Sequence, residues 1–240
     1  LALTEQAFAC NPSFTAAYQH GLSQFHLNQL DAAMATYRDF AHPLAQSPRQ
    51  KGLISLGMAQ IFTVRNKFCL ADNHLRRAKQ AGLQASPEYQ QVWLAYRRQR
   101  SKSVIPAAEI VCELQAKSSF SWQPRLDLTI PFRFNQFKLD NQGLNQTLEL
   151  GKALLQLLNQ PHPGGFAVIG HTDKRGTIAY NQELSERRAA TVHKVLRQRF
   201  PRLRGLLHPK GHGERNLIAH GDTEEDHQLN RRVEVVWNTR

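Results

Sequence analysis

The sequence has no run approaching eighteen uninterrupted apolar residues, which excludes a membrane-spanning helix within this stretch. It also lacks a CxxC pair. Its three cysteines, Cys10, Cys69 and Cys112, are far apart and confined to the first half, so no thiolate zinc site is expected. Three thiols permit at most one disulfide within the chain, and thiols packing as small apolar residues fit the sequence equally well. There is no GxSxG elbow and no calcium-loop spacing, which removes the sequence basis for an α/β-hydrolase nucleophile or an EF-hand. Glycine and proline are scarce through residue 100, so that stretch has few of the residues that interrupt helices.

The chain has 240 residues, 41% of them hydrophobic and 21% charged, enough for one large globular domain or two small ones. Its net charge is +12. Residues 1–126 carry 14 basic and 7 acidic side chains and residues 127–240 carry 17 and 12, so the excess is a property of the surface and not of a tail. A basic surface serves solubility and also favours anionic partners: nucleic acid, lipid headgroups or acidic wall polymer. The chain begins at Leu1 and not at Met, which suggests a processed or truncated product whose signal or anchor lies outside this sequence.

Two patterns divide the chain. Residues 1–100 read as helical, with a weak internal repeat. Gly21 precedes Ala33, Tyr37 and Phe40, and Gly57 precedes Ala71, Leu75 and Ala78. The small residues let antiparallel helices approach closely and the larger ones fill the seam. This all-α domain resembles tetratricopeptide repeats, and a generic helical bundle fits the same pattern. Residues 101–124 read as a connector, with one short helix at Ile110–Leu114 and a loop at 117–124. From residue 125 to 240 the period changes. Leu126, Leu128, Ile130, Phe132 and Phe134 alternate with polar positions, as in a strand with one buried face, and Pro131 predicts an edge or a bulge. Leu144, Leu148, Gly151, Leu155 and Leu158 then mark a helix. A buried strand at 166–169, a helix from about 179 to 200, and strands near 206–208 and 233–237 complete the order β-α-β-α-β-β. That order describes an α+β domain with helices packed on a mixed sheet.

The residues with binding chemistry sit between the second strand and the second long helix. Asp173 closes a buried strand and enters the loop Lys174-Arg175-Gly176. Loops held by a rigid sheet are where binding groups are usually placed. Arg188 falls in the helical stripe Leu184, Arg188, Val192, Val195, so a guanidinium is aligned with apolar side chains and must be paired or face a pocket. Asn181 lies two turns before it on the same face. Either Asp173 and Arg188 neutralise each other, or they stand apart and clamp a zwitterion. In the second case the carboxylate takes an ammonium and the guanidinium takes a carboxylate, which suits an α-amino acid headgroup.

These residues resemble a family. Gly170-His171-Thr172-Asp173, Gly176, Asn181, Leu184-Ser185 and Arg188-Ala189, followed by Gly211-His212-Gly213-Glu214 and Asn230-Arg231-Arg232-Val233-Glu234, look like the signature of OmpA/Pal/MotB C-terminal domains. The resemblance covers residues 125–240 and implies the same β-α-β-α-β-β fold. It implies noncovalent binding of peptidoglycan through the diaminopimelate of its stem peptide, with Asp173 and Arg188 gripping the zwitterionic end and Asn181, Leu184 and Arg231 in secondary pocket positions. It further implies a periplasmic wall anchor, outer-membrane-associated or secreted across the inner membrane, that is not an enzyme and needs no cofactor or metal. Phe134 to Lys138, bulkier and more basic than usual, and His212, where an aromatic is common, depart from the pattern and bear on pocket shape.

Other constellations point elsewhere. His171, Asp173 and Ser185 could suggest a hydrolytic triad, but Ser185 falls inside a helix. His208, His212, Glu214, His220 and His227 crowd one region without helical metal-ligand spacing and read as loop histidines. Arg197, Arg199, Arg202 and Arg204 read as a solvated helix end, with basic nucleic-acid binding as the alternative function. Asp222 to Asp226 read as a solvated loop.

Overall fold

The computed structural model describes residue 6 and residues 13–119, 121, 123–132, 137–160 and 164–238. The chain divides into two compact units, Leu1–Gln99 and Arg100–Arg240.

The first unit is helical. α1 spans Phe14–His26, capped by Ser13, whose hydroxyl accepts the Ala16 N–H at 3.2 Å. α2 (Leu30–Ala35) runs on through a π-helical stretch, Thr36–Ala41, into the turn His42–Leu44. α3 (Pro48–Val64) opens with a capping box between Ser47 and Gln50 and proline in its first turn. α4 (Phe68–Gln80) packs along α3, and α5 (Pro87–Lys102) contains the boundary between the units. The expected close approach centres on Tyr37. A Cβ on Gly21 would lie 2.6 Å from its ring and one on Gly57 2.5 Å, so both glycines make room for one aromatic side chain. Ala33, Ala71, Leu75 and Ala78 are buried as the repeat pattern requires. Phe40 is not: it is 48% exposed, and Ala41 is buried in its place. The wider π-helical turn shifts the register by one residue at this point, which spacing alone does not reveal. Cys69 is disulfide-bonded, and Cys10 lies outside the described residues.

In the second unit α6 (Ala107–Ser118) packs on α7 (Asn141–Leu157) and carries Cys112, also disulfide-bonded. It is longer than the short helix expected at Ile110–Leu114. Ile105 and Gln146 bind each other twice: the Ile105 N–H donates to Oε1 at 2.7 Å and Nε2 donates to the Ile105 carbonyl at 3.1 Å. The Ala107 N–H donates to Glu149 at 2.8 Å, and the buried guanidinium of Arg100 donates to Glu113. These bonds bring Gln146 inside, and the buried face of α7 runs through Gly143, Thr147, Leu150, Gly151, Leu154 and Leu157. The expected stripe through Leu144, Leu148, Leu155 and Leu158 is half-buried, because α7 is covered on two sides, by α6 and by α8.

The sheet is mixed. β1 (Arg125–Leu128) runs antiparallel to β4 (Val233–Trp237), β4 antiparallel to β2 (Phe166–Gly170), and β2 parallel to β3 (Leu207–Gly211), giving the order β1-β4-β2-β3. α8 (Ile178–Arg199) covers β2 and β3 and contacts α7, so the β-α-β-α-β-β arrangement is present. The first strand is shorter than its alternation suggested and lies at the sheet edge. It ends before Pro131, and Phe132 pairs with Leu139 in an isolated bridge; residues 133–136 are outside the described residues. A further short helix, α9 (Glu224–Asn230), replaces the loop expected across Asp222–Asp226. The Thr223 hydroxyl accepts the Asp226 N–H, the Asp226 carboxylate accepts the Thr223 N–H, and the three acids of the first turn favour the positive end of the helix.

Two glycines let β2 and β3 sit close under α8. A Cβ on Gly170 would lie 2.3 Å from the Ser185 carbonyl oxygen, and one on Gly211 would lie 2.5 Å from the Ser185 hydroxyl. Ser185 is fully buried there; its hydroxyl donates to the Gln182 carbonyl at 2.8 Å and accepts the Gly213 N–H at 2.9 Å. Gly170→Ala is expected to push α8 off the sheet and cost about 1–3 kcal/mol, read as a lower urea midpoint; an unchanged midpoint would show the contact to be soft.

Candidate functional site

Where β2 leaves the sheet, the chain turns through Thr172 and Asp173 beneath the first turns of α8. The Arg175 N–H donates to Asp173 Oδ1 at 3.0 Å, an Asx-type turn that fixes the carboxylate at the loop's start. A cleft of about 850 Å³ opens here, and Asp173, Asn181, Leu184, Arg188 and Arg231 all line it, together with Phe132, Thr172, Arg175, Gly176, Tyr180 and Glu224. The fold thus gathers all five residues singled out in the sequence. It also adds Arg175 and Glu224, whose roles could not be read from spacing because Glu224 reaches the cleft only through the unanticipated α9.

Asp173 and Arg188 are not paired with each other. Asp173 Oδ2 accepts from Arg175 at 2.8 Å and from Arg231 at 2.8 Å. Both arginines also reach Glu224, at 3.1 and 2.6 Å, so two guanidiniums and two carboxylates form a ring at the cleft wall. Burial pushes the Asp173 carboxyl up, but the hydrogen bonds from Arg175 and Arg231 outweigh it and hold the group at about 2.

Arg188 stands apart from this ring. Its side chain belongs to the buried face of α8, with Asn181, Ser185, Ala189, Val192 and Leu196. Leu184 and Val195, expected on that stripe, are half-buried. Arg188 is 9% exposed and makes no ion pair among the described residues, and its Nε has no hydrogen-bond partner there. Its guanidinium lies 5.1 Å from the centre of the Phe132 ring, a cation–π contact that offsets part of the desolvation. Burial first, and then the charge of Arg231, lower its pKa, against weaker opposing pulls from Tyr180 and Asp173. The Thr172 hydroxyl is a second buried, unpartnered polar group on the cleft wall. Asn181 is braced: its Nδ2 donates to the Asp173 carbonyl at 3.3 Å and to Glu214.

The competing constellations resolve on geometry. Ser185 is sealed on the sheet-facing side of α8 with its hydroxyl both donating and accepting, so it cannot act as a nucleophile. His171 is 1% exposed, and its Nε2 lies 3.2 Å from Glu234. His227, read as a loop histidine, is buried on α9. Near the four arginines at the end of α8, Phe200 lies against Gly151 of α7 and is not displayed for base stacking.

The OmpA family profile matches residues 131–231. Outer membrane porin F of Pseudomonas aeruginosa is 37% identical over 111 residues, covering 46% of this chain and 31% of that protein. Peptidoglycan-associated lipoprotein of Legionella pneumophila is 40% identical over 77 residues, covering 32% of this chain and 43% of that protein. The chain therefore spans less than half the length of either curated relative. The solved cell wall anchor of the T6SS from Pseudomonas aeruginosa is 22% identical, covering 49% of this chain and 82% of that one, with a TM-score of 0.42. The profile and the curated relatives agree with the ordered motifs around the cleft: residues 131–231 are an OmpA family domain.

Proposed function

We propose that the second unit binds peptidoglycan noncovalently, gripping the zwitterionic end of diaminopimelate in the stem peptide. The observation that carries this reading is the Arg188 guanidinium, buried at the cleft without a counter-ion among the described residues. A buried cation held without a partner is costly, and a carboxylate entering the cleft removes that cost through two parallel hydrogen bonds. The Thr172 hydroxyl adds a donor nearby. The ligand's ammonium goes to Asp173. In the free protein Arg175 occupies that carboxylate, from a side chain 54% exposed, while Arg231 approaches from one 29% exposed. Arg175 is the group the ammonium displaces, and Arg231 stays to orient Asp173. The relatives' names support the same ligand class, since one of them is a peptidoglycan-associated lipoprotein. Within this reading the chain is a noncatalytic wall anchor of the cell envelope, and its helical unit is an adaptor of tetratricopeptide type that carries a protein partner.

Two outcomes follow for titration with a diaminopimelate-containing muropeptide. Arg188→Ala loses at least about 30-fold in affinity, from a penalty of about 2 kcal/mol or more, yet remains as stable as the parent because it deletes an unpaired buried charge. Arg175→Ala binds as tightly or more tightly, since a competitor for Asp173 is gone. Parent-like binding by Arg188→Ala, or loss of binding in Arg175→Ala, would refute the assignment. Steeply salt-dependent binding to DNA or RNA in place of muropeptide would favour the nucleic-acid alternative.

The Asp173 charge network also sets a pH signature. The folded carboxyl is held at about 2, below its ordinary 3.8. Its stabilisation is therefore complete above about pH 4 and is lost as pH falls toward 2. Urea midpoints of the parent and Asp173→Asn should differ at pH 7, with most of the difference gone at about pH 2; a constant difference across that range would contradict the linkage.

A further inference from the structure

Three residues outside the cleft meet at the ends of three adjacent strands. His171 follows β2 directly, His212 follows β3 directly, and Glu234 is the second residue of β4. Main-chain bonds fix their relative positions. The His171 N–H donates to the Arg232 carbonyl at 2.9 Å, the His212 N–H donates to the Gly170 carbonyl at 2.9 Å, and Ile169 stands opposite Glu234 in the β2–β4 register.

The side chains converge as well. His171 Nε2 lies 3.2 Å from Glu234 Oε2, and the His212 ring stands edge-on to His171 with centroids 5.5 Å apart. One candidate ligand atom from each residue lies within 4.8 Å of the other two. Nε2, the ring nitrogen that faces Glu234, is the ligand atom His171 offers, and the buried, unpartnered Nδ1 carries the proton of the neutral imidazole. Two imidazoles and a carboxylate form a ligand set suited to zinc, which takes nitrogen and oxygen at about 2.0–2.2 Å. In a tetrahedral site those lengths place ligand atoms about 3.3–3.6 Å apart, so any pair near the 4.8 Å limit must close by about 1 Å. His212 is half-exposed and has room to move. The cations nearest the cluster are Arg125, 3.2 Å from Glu234 Oε1, and Lys210 and Arg215 beside His212. All three are exposed and can swing into solvent when a divalent ion enters.

We infer that His171, His212 and Glu234 form a three-ligand site for a divalent transition-metal ion of the zinc or cobalt type, with water completing the coordination. The site ties together the segments that carry the cleft. His171 lies two residues before Asp173, Glu234 lies three residues after Arg231, and His212 lies two residues before Glu214, which braces Asn181. The metal's effect is structural: it adds a common tie to three strand ends that main-chain hydrogen bonds already join.

The test uses the untagged full chain, stripped of metal with chelator and titrated with cobalt chloride. The expected result is a saturable visible absorption band of low-coordinate cobalt at one equivalent, reversed by zinc, with a higher unfolding temperature in the presence of either ion. Both His212→Ala, at a half-exposed position, and the near-isosteric Glu234→Gln should abolish the band while leaving far-UV circular dichroism unchanged. His220→Ala, at an exposed position outside the cluster, should keep it. No band with the parent chain, or a band that survives in both ligand variants, would overturn the site. Neither outcome depends on the muropeptide titration, so the two assignments stand or fall separately.

Discussion

A guanidinium that is buried without an ion pair among the described residues is the constraint on which the cleft depends. Arg188 belongs to the buried face of α8, and its compensation among the described residues is the face of Phe132 with weak pulls from Tyr180 and Asp173. The nearest carboxylate network is already committed, because Asp173 and Glu224 are shared between Arg175 and Arg231. The site is therefore charged in a divided way, with one balanced ring at the wall and one isolated cation. Uncompensated buried charge costs several kcal/mol, so the surrounding structure must over-determine the position of Arg188. Binding sites store destabilisation of this kind and recover it when a ligand arrives.

The over-determination comes from the sheet. Gly170 and Gly211 bring β2 and β3 against α8 so closely that side-chain atoms on either would overlap Ser185. The Ser185 hydroxyl then bonds the Gly213 N–H and ties the loop after β3 to the helix. The carboxylate is positioned by similar means. The turn at Asp173 is closed by its own side chain onto the Arg175 N–H, and α9, held by its Thr223–Asp226 capping box, delivers Glu224 and Arg231 from the far side. Short-range backbone geometry thus sets the position of each charged group, and long-range packing keeps the two parts of the charge pattern separate.

Much of this was readable from the sequence, and what was not has identifiable causes. The strand alternation around Leu126 to Ile130, the ordered Gly-His-Thr-Asp and Gly-His-Gly-Glu motifs, and the inward Arg188 all follow from period and residue chemistry. The partners of Asp173 did not follow. Arginines two residues and fifty-eight residues away meet on one carboxylate only because α9 folds where a run of acids suggested a solvated loop. Gln146 hid the true face of α7, since a glutamine that satisfies both hydrogen-bonding groups of Ile105 counts as interior but scores as polar. Phe40 misled for a different reason: a π-helical turn adds a residue to the cycle and hands the inward position to Ala41. In each case a specific hydrogen bond or a backbone irregularity overrode the simple period.

The state of the Arg188 side chain is what most directly distinguishes a ligand clamp from an idle buried charge. Its Nε–H resonance, followed by nitrogen-edited NMR during titration with a diaminopimelate-containing muropeptide, reports on that single bond. A ligand clamp at Arg188 predicts a saturable downfield shift of this proton and slower exchange with water as it acquires a carboxylate partner. A resonance that stays unchanged while the rest of the domain registers binding would contradict it.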